Sequence, residues 1–102
     1  MRIQVVGDDT ISSQARTYAE YRVFAALTQL TGAEQARVVL RRRSRGSGDN
    51  VTCMVTVRVA DANPVRVWTT GDHPYAAINR AVERLRSASE VLEDRIGVGA
   101  VD

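Results

Sequence analysis

The segment VTCMVTVRVA, residues 51–60, alternates two kinds of side chain along nearly its whole length. Successive side chains of a β-strand point to opposite faces of the sheet, so this alternation predicts a strand with one buried face. The apolar face would carry Val51, Cys53, Val55, Val57 and Val59. The other face would carry Thr52, Met54, Thr56 and Arg58. This segment therefore predicts a sheet that is covered on one side and open on the other.

The neighbouring segments continue the same period of two. ARVVLRRR (36–43) and VRVWTT (65–70) also alternate, and the linkers SRGSGDN and DANP have the composition of turns. We therefore predict three consecutive strands that form a meander. A further short strand is predicted near the N-terminus, where RIQVV (2–6) alternates and is followed by GDD.

A first helix is predicted between the N-terminal strand and the meander. It would run from Ser12 to about Leu30, with Ser12 as the N-cap and Gly32 just past the end. The residues at helical spacing are Ala15, Ala19, Val23, Ala26, Leu27 and Leu30.

A second helix is predicted after the meander, from Pro74 to about Ile96. Asp72 or His73 would cap it, and proline in the first turn costs no hydrogen bond because the first N–H groups of a helix lack intrahelical partners. Its apolar stripe consists of Tyr75, Ile78, Val82, Leu85, Leu92 and Ile96.

These elements give an α+β fold class with the order β-α-β-β-β-α, a four-stranded sheet with two helices packed on one face. Each helix has one apolar stripe to bury, and the apolar sheet face can cover both stripes. The length of 102 residues fits one domain, which we place at 1–96, followed by a short tail at 97–102. The open face would collect Arg2, Gln4, Arg37, Val39, Arg41, Arg43, Thr52, Met54, Thr56, Arg58, Arg66 and Trp68.

Positive charge is concentrated in the middle of the chain. Residues 37–66 hold seven arginines against two acids, a net +5, whereas the rest of the chain has a net −3. Like charges this close repel one another unless an anion offsets them, so the cluster indicates a polyanionic partner. A solvated face that discourages aggregation is the alternative interpretation.

Residues able to support catalysis are few. The single histidine, His73, is expected to be a capping or surface residue, and RGSG lies in a hairpin turn, outside the strand-to-helix context of a phosphate loop. The single cysteine, Cys53, is expected to be a buried apolar residue without a disulfide partner, which fits a reducing compartment. We therefore predict a cytoplasmic protein that is not an enzyme and needs no cofactor or metal.

Trp68 has two interpretations at this stage. On an open sheet face it could stack on a nucleic-acid base. It could equally cover the sheet by packing against Met54 or Val39.

The segment DHPYAAINRAVERLRSA (72–88) resembles the second helix of the ribosome hibernation promoting factors, also called ribosome-associated inhibitor or sigma-54 modulation proteins. The matching positions are Tyr75, Ala77, Ile78 and Asn79, with Arg84 and Leu85 further along. The resemblance covers about residues 2–90 and includes the order of elements. His73 and Pro74 depart from the family pattern, and the positive charge here has moved toward the second strand.

This resemblance implies a fold like the double-stranded-RNA-binding domain with an added first strand. It also implies a non-catalytic protein that occupies the mRNA and tRNA channel of the small ribosomal subunit and inhibits translation during stress or stationary phase. The implied partner is ribosomal RNA, and no membrane or DNA partner is expected. We expect either a short member of the family or one domain cut from a longer protein.

The candidate RNA-binding residues come from two sources. The resemblance implies basic residues on the helices, and the charge distribution adds the arginines of the second strand and its turn. Together they are Arg16, Arg22, Arg37, Arg41, Arg43, Arg45, Arg80 and Arg84. The alternative function is a protein–protein interaction module that uses the open sheet face and binds no RNA. Its partner would be another protein or a second copy of the chain.

Overall fold

The computed structural model describes the backbone of residues 1–45 and 48–101 and the side chains of residues 1–43 and 50–88. Its elements are β1 (Arg2–Gly7), α1 (Ser13–Leu27), β2 (Ala33–Arg45), β3 (Gly48–Val59), β4 (Val65–Gly71) and α2 (Pro74–Val101). The predicted order and the α+β class are both confirmed.

The four strands form one mixed sheet in the order β1-β2-β3-β4. β2, β3 and β4 are antiparallel neighbours, as the meander prediction requires. β1 pairs with β2 in parallel and, as the first strand in the order, lies at an outer edge of the sheet. A parallel pair needs a long crossover connection, and α1 provides it.

One face of the sheet forms the core together with the helices. Val5, Val38, Val55 and Val67 lie side by side across all four strands on this face. Val38 and Val55 are completely buried, as are Cys53 and Val57 in β3. The alternation seen in residues 51–60 therefore assigned the covered face correctly.

Helix α1 begins where predicted and ends earlier than predicted. The hydroxyl oxygen of Ser12 accepts a hydrogen bond from the Ala15 N–H at 3.1 Å, so serine is the N-cap. The helix ends at Leu27 rather than near Leu30, because the chain must turn back to start β2 and does so through Gly32 at φ 89°. Leu30 is nevertheless buried, which explains why it fitted the apolar pattern.

Helix α2 begins at Pro74, and His73 rather than Asp72 caps it. Nδ1 of His73 accepts a hydrogen bond from the Ala76 N–H at 3.2 Å. The helix extends to Val101, so residues 97–101, predicted as a tail, have a helical backbone. Elongating an existing helix adds one hydrogen bond per residue, and no proline follows Pro74 to stop it. Ile78, Val82 and Leu85 of the predicted stripe are buried, and the side chains of Leu92 and Ile96 lie outside the described residues.

Close contact between β4 and α2 depends on Gly71. A Cβ atom at this position would lie 2.6 Å from the backbone nitrogen of Ala77, which is closer than packed atoms approach. Next to it, the Thr69 hydroxyl donates a buried hydrogen bond of 2.7 Å to the carbonyl of Ala77. The start of α2 is therefore held directly against the end of β4.

Candidate nucleic-acid interface

The face of the sheet opposite the helices is open and is built from cross-strand rows. One row is apolar: Val6, Val39, Met54 and Trp68. A polar and basic row flanks it on one side: Gln4, Arg37, Thr56 and Arg66. On the other side lie Arg41, Thr52 and Thr70. The predicted assignment of residues to this face is confirmed. Most of them line a shallow concavity of about 1010 Å³.

The arginines of this face are available to a ligand. Arg37, Arg41 and Arg43 are exposed. Within the part of the chain whose side chains are described, none of these three is paired with a carboxylate. Three exposed guanidiniums within one strand form a favourable site for phosphate groups, which they can bind with two parallel hydrogen bonds.

Arg42 lies apart from this group. It is half-buried and belongs to the row of Val51, on the helix side of the sheet. Hydrogen bonds from Thr10 lower the pKa of Asp8, and the backbone and positive charge of Arg42 make smaller contributions in the same direction. The Arg45 side chain lies outside the described residues.

Arg80 and Arg84 border the open face from the helix layer. The Arg80 guanidinium donates to the carbonyl of Thr70 at 2.7 Å, and the Arg84 guanidinium donates to the carbonyl of Trp68 at 2.9 Å. Both side chains are exposed, and both contact β4, an outer strand of the sheet. These two predicted residues therefore lie near Trp68, and each keeps further N–H donors for a ligand.

Arg16 and Arg22 are engaged inside the fold. One terminal nitrogen of Arg16 donates to the carbonyls of Gly7 and Asp8 at 3.1 and 2.9 Å, and its Nε is buried. Nε of Arg22 donates to Oδ1 of Asn79 at 3.3 Å. Both side chains are half-buried, so the RNA-binding role implied for them stays a prediction.

The four residues that carried the family resemblance have structural roles that the sequence did not reveal. Ala77 and Ile78 are completely buried, and Asn79 joins the two helices. The Tyr75 ring packs edge-on against Tyr18 with centroids 5.1 Å apart.

The four-residue spacing of Arg80 and Arg84 was the one sequence signal that could have placed both side chains on the same side of α2.

Other kinds of site find little support in the described residues. Across these residues, no group of three potential metal ligands lies together. No described helix is long and apolar enough to cross a membrane. Burial raises the pKa of the Cys53 thiol to about 12, so this thiol is uncharged and unreactive at neutral pH.

An open, arginine-bearing sheet backed by two helices defines the chain as a small α+β domain suited to binding a polyanion. The chain belongs to the family described as sigma 54 modulation protein and S30EA ribosomal protein, whose model matches residues 3–95. Members of this family are non-catalytic factors, in agreement with the prediction that the chain is not an enzyme.

Solved structures are similar in fold. The N-terminal domain of Protein Y from Thermus thermophilus superposes with a TM-score of 0.74 at 26% identity, covering 90% of this chain and 99% of that one. A ribosomal subunit interface protein from Coxiella burnetii superposes with a TM-score of 0.72 at 13% identity, covering 92% and 99% of the two chains. No curated protein matches the sequence.

Proposed function

We propose that the chain binds the small ribosomal subunit in the channel used by mRNA and tRNA and thereby inhibits translation during stress or stationary phase. Membership of the S30EA family supports a role at the ribosome. The likeness in fold to the N-terminal domain of Protein Y supports a domain of the same architecture as the part that binds. A protein that acts on ribosomes is expected in the cytoplasm. We also propose that residues 1–96 act as a single unit.

The observation that carries this proposal is the group of exposed arginines on β2. Arg37, Arg41 and Arg43 have no carboxylate partner within the described residues, so an outside anion can offset their repulsion. Ribosomal RNA offers closely spaced phosphates, and neutralising them releases condensed counterions. Binding of this kind occupies space in the channel and needs no chemical step.

Co-sedimentation with purified small subunits tests the proposal. We expect association at low salt that weakens steeply as salt rises. The log–log slope should be roughly 0.7–0.9 for each phosphate neutralised, the range from single strands to B-form duplexes. Subunits already loaded with mRNA should bind less of the protein, and translation by purified ribosomes should slow as the protein is added. A protein that stays free of small subunits at low salt would contradict the proposal.

Charge reversal locates the surface. Arg41→Glu and Arg43→Glu should each weaken association, since each replaces a phosphate-binding group by a repelling one. Arg86→Glu is the matched control, because Arg86 is exposed on α2 and belongs to neither candidate group. Equal losses in all three variants would indicate attraction by net charge alone.

A second candidate function uses the same face without RNA. Trp68 is 55% exposed on the apolar row, and an exposed aromatic side chain is typical of protein interfaces. In this case the chain would bind a protein partner or a second copy of itself. Sedimentation analysis that finds a stable dimer, together with no association with ribosomes, would favour it.

A further inference from the structure

The apolar row of the open face indicates a more specific ligand. It is formed by Val6, Val39, Met54 and Trp68. Val6 and Val39 are half-buried, and so is Met54. Trp68 is the most exposed member and lies directly opposite Met54. The row thus ends in a large aromatic surface with a flexible thioether beside it, an arrangement that can hold a flat ring.

Positive charge lies on both sides of this row. Arg37 and Arg66 belong to the row on one side and Arg41 to the row on the other. Neighbouring rows on one face are two residues apart along each strand, or about 6.8 Å. A base stacked on Trp68 would therefore have guanidiniums within reach of the phosphates before and after it. Nε of Arg66 is anchored to Oγ1 of Thr56 at 3.3 Å, which holds this side chain along the face.

We infer that the open face binds single-stranded RNA, with an unpaired base stacked on Trp68 and the adjoining phosphates held by Arg37, Arg66 and Arg41. This inference rests on the proposed function and specifies the part of the RNA that this face contacts. A duplex hides the faces of its bases within the stack, so an aromatic side chain on an open sheet selects an unpaired strand.

A second copy of the chain fits this face less well. In a two-fold symmetric dimer the same surface meets itself, so the arginines of one copy would face the arginines of the other. Like charges brought together in this way oppose association, whereas a polyanion satisfies both the charge and the aromatic surface. Charge complementarity therefore favours RNA as the occupant.

Trp68 is the only tryptophan of the chain, so its fluorescence reports directly on this face. We expect a short oligoadenylate to quench it on titration, and an RNA hairpin without unpaired bases to quench it much less. Binding of labelled oligoadenylate, followed by anisotropy, should weaken roughly 5- to 150-fold in Trp68→Ala, the range that stacking of one base accounts for. Trp68→Phe keeps a ring and should recover most of the affinity.

Tyr21→Ala provides the aromatic control. Tyr21 is 69% exposed and lies on α1, in the layer opposite the open face, so its loss should leave oligoadenylate binding unchanged. Arg37→Ala should weaken binding and make it less dependent on salt, while Arg86→Ala should not. Circular dichroism of each variant checks that the fold is retained.

The outcomes separate this inference from the proposed function. If the protein sediments with small subunits and Trp68→Ala sediments equally well while oligoadenylate neither binds nor quenches, the inference is wrong and the proposed function stands. Equal affinity for hairpin and single strand without quenching also overturns it, as does a dimer that buries Trp68. Quenching by oligoadenylate without any association with small subunits would support the inference and remove the proposed function.

Discussion

The hydroxyl group of Tyr18 in α1 donates a hydrogen bond of 2.7 Å to Oδ1 of Asn79 in α2. Nε of Arg22 donates to the same oxygen at 3.3 Å, so one amide joins two side chains of the first helix to the second. Asn79 is also part of the sequence pattern through which the family resemblance was found. Its position in that pattern is explained by the packing of the two helices.

Replacing Asn79 by alanine should lower the free energy of unfolding by about 1–3 kcal/mol, because it leaves the Tyr18 hydroxyl and Nε of Arg22 without their acceptor in a half-buried place. Tyr18→Phe should cost about 1 kcal/mol. Urea denaturation of both variants and of the double variant measures the coupling between them. Tyr21→Phe, at an exposed tyrosine, should be neutral, and strictly additive losses would show that the two side chains do not interact.

Arg16 is expected to act on stability more than on binding. Its guanidinium donates to the carbonyls of Gly7 and Asp8, which ties α1 to the end of β1. Arg16→Ala should therefore lower the free energy of unfolding by about 1.5–3 kcal/mol, the range for hydrogen bonds made by charged groups. Urea denaturation checks this, with Arg86→Ala as the exposed control. An unchanged unfolding midpoint combined with weaker ribosome association would instead assign Arg16 to the RNA-binding surface.

His73→Ala should lower the free energy of unfolding by about 0.5–2 kcal/mol, because Nδ1 of His73 accepts a hydrogen bond from the Ala76 N–H in the first turn of α2. His73→Asn should retain most of the stability, since asparagine also caps helices well. Asp72→Ala is the control, because the sequence alone could not distinguish Asp72 from His73 as the cap. Thermal unfolding followed by circular dichroism measures all three, and a larger loss in Asp72→Ala would reverse the assignment.

Gly71→Ala should be destabilising by about 1–3 kcal/mol, because the added methyl group would lie 2.6 Å from the backbone nitrogen of Ala77. Relief requires α2 to move away from β4, which would also lengthen the buried hydrogen bond from Thr69 to Ala77. Thr70→Ala, at the exposed position before it, should cost much less. Urea denaturation is the measurement, and similar losses for the two variants would contradict tight packing at Gly71.

Cys53 should make the native protein less stable at alkaline pH. Burial raises the pKa of its thiol from 9.0 to about 12, so the native state keeps the proton that the unfolded state loses. The contribution is complete below pH 9 and is lost as the pH rises toward 12, with a limiting slope of about 1.4 kcal/mol per pH unit. Unfolding measured from pH 8 to 11 should show a smaller decline in Cys53→Ala. Rapid labelling of native Cys53 by a thiol reagent at neutral pH would oppose this account.

The strands could be predicted because burial on one face imposes a period of two that few other structures share. The alternation of side chains along a strand is enough to assign Thr52 to the open face and Val55 to the covered face, without any knowledge of the neighbouring strands. The ends of the helices and strands were harder to predict from the sequence. The end of α1 depends on where the chain must turn to enter β2, and the local pattern still continued through Leu30 because that residue is buried after the helix has ended.

The sequence predicted the cluster of positive charge in the candidate site, but it did not predict the hydrogen bonds that its arginines make. Clustering placed Arg37, Arg41 and Arg43 on one open face, since strand parity fixes their direction. No short sequence pattern indicated that Arg16 donates hydrogen bonds to the carbonyls of Gly7 and Asp8, or that Arg84 reaches β4. Those contacts arise from the approach of distant segments, which one sequence does not encode in any short pattern.

The hydrogen bonds from Arg80 and Arg84 to β4 have a consequence for how molecules of this chain behave when crowded. An outer strand offers backbone acceptors that could template pairing with a foreign strand. Here two acceptors, on Thr70 and Trp68, are already occupied by charged donors from α2. This edge of the sheet is therefore less able to pair with a strand of another molecule, which opposes aggregation of the protein at high concentration.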